Sequence, residues 1–253
     1  MTSLPLSDLI ALVIVFLAAM ALLVNLILQR KQNDPELKSV PAVTAISAFQ
    51  HEAAENGKRL TFGLGDGFST RSVSLNSLVS LSAWRDTAAR AVFNDQPSQS
   101  VSGDGALTMI SQMVQRGVYQ DAVAVELFKP EQILLGGVTD AANVAGLLPE
   151  VTHSANSAVV LIGSFTPLAG LAVNLAGRKQ LPIVAVSDTL TAQATFFVTT
   201  SLSSLGEDYY ASEVSRPRQS NASVQWRAQD WLRIAAIVAL LMGALFKLTG
   251  VMP

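Results

Sequence analysis

From Leu9 to Leu28 the chain runs for 20 residues (LIALVIVFLAAMALLVNLIL) without a charge and with one polar side chain, Asn25. At about 1.5 Å per helical residue that length matches the roughly 30 Å hydrocarbon core of a bilayer. The leader MTSLPLSD carries no Lys or Arg and contains Asp8, the run is long, and no convincing small-x-small cleavage site stands before Arg30. The run therefore reads as a retained anchor rather than a cleaved signal peptide.

A second apolar run lies near the other end. Ile234 to Phe246 is free of charge, and Trp231 to Val251 reaches spanning length once Arg233 and Lys247 snorkel toward the interface. Trp226 and Trp231 fit interfacial positions. Ala235, Ala239 and Gly243 recur every four residues, the small-residue spacing that lets membrane helices approach closely. A buried amphipathic C-terminal helix is the competing reading. Arg30, Lys31 and Lys38 follow the first run, and Arg216, Arg218, Arg227 and Arg233 precede the second. Both basic flanks belong to the middle segment, which the positive-inside rule places in the cytoplasm. The expected organisation is an anchor over 1–31, a cytoplasmic α/β domain over 32–215, a basic linker over 216–230 and a C-terminal transmembrane helix over 231–253, in the inner membrane.

Within the middle segment, short apolar runs alternate with stretches of helical periodicity. That alternation predicts a mainly parallel, Rossmann-like sheet covered by helices. Ser39 and Pro41 open a helix in which Val43, Ile46, Phe49 and Ala53 fall at helical spacing, ending near Gly57. Lys58 to Leu64 reads as a strand closed by Gly65, Asp66 and Gly67. A helix from about Ser74 to Phe93 follows, with Leu75, Leu78, Leu81, Ala88 and Val92 on one face. Gln99 to Ser102 is a second strand closed by Gly103, Asp104 and Gly105, before a helix from Ala106 to about Gly117. The runs Gln132 to Gly136, Ser157 to Ile162 and Pro182 to Val186 have strand length. Each precedes a helix-start signal: Thr139 with Asp140, Thr166 with Pro167, and Asp188 with Thr189. The stretch Asp121 to Phe128 fits a helix end or a strand, and a last short strand falls near Ser201 to Leu205.

Composition narrows the function classes. Half of the residues are hydrophobic and 14% are charged, and the formal net charge of −2 leaves no basic footprint for nucleic acid. Without cysteine, the chain has no disulfides, thiolate metal sites or Cys nucleophile.

In an open parallel sheet, ligands settle outside the carboxyl ends of the strands, beside helix N-termini. The residues predicted there are Asp66, Asp104, Ser164, Thr166, Asp188 and Glu207, a rim of carboxylates and hydroxyls suited to a small ligand or a hard divalent cation. The same residues also serve as helix caps and turn formers. Gly63, Gly65 and Gly67 miss the G-x-G-x-x-G spacing, and no P-loop occurs. Gly163, Ser164 and Phe165 lack the second glycine of a nucleophile elbow. His51 and His153, the two imidazoles, sit in no zinc or triad motif. No cofactor is read from these patterns.

Taken in order, the anchor, the basic stop, VPAVTAISAFQHEAAENGKRL, the GDG after the second strand, VVLIGSF, LPIVAVSD and SLGEDYYAS resemble a bacterial membrane protein family of unknown function, DUF6754. The likeness covers roughly residues 5–215. It implies a membrane-tethered α/β domain with no assigned chemistry. The expected role is a non-catalytic accessory or assembly subunit, in contact with the lipid bilayer and either with further copies of itself or with a membrane protein partner. The alternative is a ligand-binding or hydrolytic domain using Asp66, Asp104, Ser164 and Asp188.

Overall fold

The structure, a computed structural model, describes residues 41–66 and 75–204 together with positions 234, 236 and 237. Ser39–Ser215 form one compact unit. Among the described residues no helix is long and apolar enough to cross a membrane. The expected anchor Leu9–Leu28, the linker and Glu207 lie outside the described residues, as does most of the second run. Of that run Ile234, Ala236 and Ile237 are described, and they are helical and exposed.

The elements follow in the order α1 (Pro41–Glu55), β1 (Arg59–Gly65), α2 (Leu75–Ala91), β2 (Gln99–Ser102), α3 (Gly105–Asp121), β3 (Ile133–Leu135), α4 (Asp140–Thr152), β4 (Asn156–Ser164), α5 (Gly170–Arg178), β5 (Ile183–Ser187), α6 (Leu190–Thr199) and β6 (Ser203–Ser204). The six strands form one parallel sheet in the order β3-β2-β1-β4-β5-β6. The chain enters at β1, works outward to β3, crosses back to β4 and works outward to β6. This is the doubly wound, Rossmann-like arrangement, and its strand order reverses between β1 and β4.

Side chains alternate between the faces of each strand, which divides the core in two. On one face Val159, Leu161, Ile183 and Ala185 pack with Leu147 and Val151 of α4, Ala172 and Val173 of α5, and Phe196 of α6. On the other, Leu60 and Phe62 of β1 and Val160 and Ile162 of β4 are wholly buried; α1 and α2 cover them, and α3 lies against β2 and β3. The Trp84 ring of α2 tilts over Phe62, with centroids 5.7 Å apart.

Two helix faces differ from the periodicity reading. In α1 the buried positions are Ala42, Ile46, Gln50 and Ala53, with Phe49 only partly covered. Gln50 turns inward because its Nε2 donates to the Thr87 carbonyl at 2.9 Å, tying α1 to α2. In α2, Leu78 stands 49% exposed while Ser77, Ser80, Trp84 and Thr87 are buried. The hydroxyls of Ser80 and Thr87 satisfy themselves on the Ser77 and Ala83 carbonyls of their own helix, so burial leaves neither unpaired. The ambiguous stretch Asp121 to Phe128 holds the end of α3 at Asp121 and no strand. Val123 adopts φ 54° and ends the helical path, and a 3-10 turn follows at Val125–Leu127.

Candidate functional site

Where the strand order reverses, β1 and β4 send their following segments to opposite faces and leave a crevice at their carboxyl ends. The end of β1 is irregular there. Register with both neighbouring strands shifts between Gly63 and Gly65. Gly65 has φ +68°, and a Cβ on it would strike the Ser164 carbonyl. Only glycine makes this turn without strain. The turn sets the Asp66 N–H against the Ser164 carbonyl at 2.9 Å in an isolated antiparallel bridge. Such irregularities at strand ends re-aim the next side chain. The neighbouring strand ends continue the same tie, with Gly103 N–H donating to the Gly65 carbonyl and Gly136 N–H to the Ser102 carbonyl.

Asp66, half-buried, meets an acidic and amide environment. Asn143 of α4 donates from Nδ2 to Asp66 Oδ1 at 3.5 Å. Burial first, then hydrogen bonding to Asp140 and the charges of Asp140 and Asp104, raise the Asp66 carboxyl to about 6. Gly103 makes the close approach possible, because a Cβ there would overlap the Asp66 carboxylate and the Asn143 amide. Asp104 also caps α3, accepting from the Ala106 N–H at 2.7 Å.

On the β4 side, Ser164 Oγ donates to Asp188 Oδ2 at 3.0 Å. A hydroxyl and amide lattice anchors this pair. Phe165 N–H donates to Ser187 Oγ at 3.2 Å, Thr189 Oγ1 donates to the Phe165 carbonyl at 2.6 Å, and Gln193 Nε2 donates to the Ser187 carbonyl at 2.9 Å. The start of α6 is thereby locked to the end of β4, and Asp188 is held beside Ser164.

Of the six residues expected at the rim, the structure joins Asp66 with Asp104 and Ser164 with Asp188, and the Asp66–Ser164 backbone bridge connects the two halves. Thr166 stands apart. It begins a 3-10 turn and its side chain makes no cap bond. Glu207 lies outside the described residues. Asp140, Asn143, Ser187 and Thr189 belong to the site without having been expected there. Asp140 and Thr189 are legible in the sequence only as helix-start residues. Among the described residues, no group of three or more His, Asp or Glu is arranged to hold a metal ion. His51 is exposed on α1, and exposed His153 ends α4, so neither imidazole approaches Ser164.

Fold and site together define a Rossmann-like α/β domain with a carboxylate and hydroxyl rim at its topological switch point. The chain matches no family model, no curated protein and no solved structure.

Proposed function

We propose that this chain is a membrane-tethered domain that binds a small polar ligand at the β1/β4 crevice. The observation that supports this most directly is Asp66, whose backbone bridges to Ser164 while its carboxyl meets Asn143 and Asp140. A residue serving only as a helix cap has no reason to gather groups from three strands and a crossover helix. The rim is rich in acceptors, so the favoured ligands carry hydroxyl or amine donors, and phosphates are repelled by the carboxylates of Asp66, Asp104 and Asp140. Binding without covalent chemistry is the preferred reading, since the hydroxyl of Ser164 is paired with Asp188 and has no imidazole at hand.

Membership of the DUF6754 family and a two-pass topology at the inner membrane complete the proposal. The length of Leu9–Leu28 and the basic flanks on both sides of the middle segment support that topology. So do Ile234 and Ile237, which stand 55% and 57% exposed in a helix, as lipid-facing residues do.

The test is thermal stabilisation of the detergent-solubilised full chain by ribose, adenosine and spermidine, each compared with AMP. A concentration-dependent rise in midpoint with at least one donor-rich probe, absent in Asp66→Asn and smaller for AMP, is expected. Identical responses from wild type and Asp66→Asn, or none from any probe, overturn it.

A second reading, an accessory or assembly subunit, is favoured by the outer face of α6. Leu190, Phe197 and Val198 stand 79%, 63% and 84% exposed on a helix without a charged residue. Gentle-detergent purification followed by mass spectrometry tests it: a stoichiometric membrane partner that dissociates from Phe197→Ser supports the reading.

A further inference from the structure

The opposite edge of the sheet, where the strands begin, holds a second cleft that the crevice at β1/β4 does not involve. It is a shallow cleft, open to solvent, between the end of α1, the start of β1, the end of α2 and the start of β2. Gln50, Lys58, Arg59, Arg90, Asn94 and Ser98 are among its lining residues, and no acidic residue lines it.

The three cations are not equivalent. Arg59 is already paired, its Nη2 lying 3.0 Å from Glu150 Oε2. Lys58 and Arg90 form no ion pair among the described residues. Arg90 is steered by an amide. Gln50, anchored through its Nε2 to the Thr87 carbonyl, accepts from Arg90 Nη1 at 3.4 Å through its Oε1. An amide in that position orients a guanidinium without neutralising it. Ser98 lines the cleft while only 4% exposed, and its hydroxyl has no hydrogen-bond partner among the described residues. The hydroxyl is therefore available as a donor to a ligand in the cleft.

A simpler role for Lys58 and Arg90 is to offset the carbonyl ends of α1 and α2. Each helix end carries about half a negative charge, so two ends balance about one of the two cations and leave about one positive charge uncompensated. The lining also offers the Asn94 amide and the Ser98 hydroxyl as donors. A guanidinium fork, an ammonium and a hydroxyl around one small space match the oxygens of a compact anion.

We propose that this cleft binds a small oxyanion of the phosphate class. The site is separate from the carboxylate rim, where the charge has the opposite sign, and its ligand is excluded from that rim by the same electrostatics.

Calorimetric titration of inorganic phosphate into the detergent-solubilised full chain tests the assignment. Saturable binding is expected, weakened at least about tenfold by Lys58→Gln with Arg90→Gln and about threefold by Ser98→Ala. Arg178→Gln with Lys179→Gln, which removes a comparable basic pair from the end of α5, is expected to leave binding unchanged. Lys58 and Arg90 are exposed, so the double variant keeps its fold, which an unchanged melting midpoint verifies. Phosphatidylglycerol vesicles identify the source of the oxyanion: displacement of bound phosphate assigns a lipid headgroup, and no displacement assigns a free anion. No saturable phosphate binding in the wild type, less than twofold loss in the Lys58 and Arg90 variant, or equal loss in the α5 control overturns the proposal.

Discussion

A Cβ on Gly103 would collide with the carboxylate of Asp66. The strand end of β2 is therefore shaped around Asp66, and the two cannot be varied independently. Gly103→Ala forces either the Asp66 carboxylate or the Asn143 amide to move. Overpacking of this kind destabilises by about 1–3 kcal/mol. The expected outcome is a lower melting midpoint for the Gly103→Ala chain, together with loss of the ligand response assigned to Asp66. An unchanged midpoint shows that the carboxylate has room to swing away.

The Asp66 carboxyl is raised from its ordinary value of 3.8 to about 6, by burial first and then by Asp140 and Asp104. Below 3.8 the folded and unfolded chains both hold this proton and its contribution to stability vanishes. Between 3.8 and about 6 the unfolded chain ionises first, so stability falls as pH rises, and the loss is constant above that range. Solvent screening of a half-buried group limits the penalty to about 1 kcal/mol. Asp66→Asn should thus be more stable than the wild type at pH 7 by about that amount, with the difference fading toward pH 4. Denaturation midpoints of both proteins across pH 4–8 measure it, and a difference that stays flat removes Asp66 as the source.

Gln50 joins α1 to α2 through a buried amide. Gln50→Ala removes that bond and the acceptor for Arg90, and it opens a void under α1. A cost of about 1–3 kcal/mol is expected. Hydrogen exchange should show faster opening of α1 with little change in β4 and β5, whereas uniform loss of protection throughout the sheet would mean that α1 does not open separately.

Arg59 and Glu150 bind β1 to α4 with side chains 16% and 19% exposed. Glu150→Gln retains an acceptor but leaves the guanidinium without its counter-charge, and about 1–2 kcal/mol of destabilisation follows. By contrast the Arg85–Asp121 pair, with side chains 55% and 73% exposed, is expected to contribute little, and Asp121→Asn should leave the melting midpoint within error. Equal effects from the two substitutions contradict the ranking by burial.

β1, β3, β4 and β5 were legible because each is a largely apolar run bounded by turn residues, whereas the polar β2 and β6 were placed by the turn residues beside them. Gln99–Ser102 falls where the pattern puts it, and β1, β3, β4 and β5 start or end within two residues of expectation. Helix faces were less legible. Periodicity counts apolar side chains, whereas Gln50, Ser77, Ser80 and Thr87 are buried with Leu78 turned outward. A polar group that bonds to its own helix, or to one specific carbonyl, leaves no trace in hydrophobic spacing. The candidate site was half legible for a related reason. Asp66, Asp104, Ser164 and Asp188 announce themselves by following strands, but strand order is a property of the crossover connection. Without it nothing in the sequence brings Asp140 and Asn143 to Asp66. The role of Gly103 was equally hidden, because a glycine after a strand reads as a turn former and the absent side chain matters only once its neighbour is known.

β6 joins the sheet through two residue pairs, Ala185 with Ser203 and Val186 with Ser204, at the point where the chain leaves for residues 205–253. A pull on that outgoing chain is borne first by the smallest ladder in the fold. Peeling it away uncovers the edge of β5, whose backbone is then open to a strand from another molecule. A mechanical load applied at this exit would convert a closed sheet margin into an adhesive one, while the six-residue hydrophobic heart of β4, Ala158 to Gly163, stays sealed.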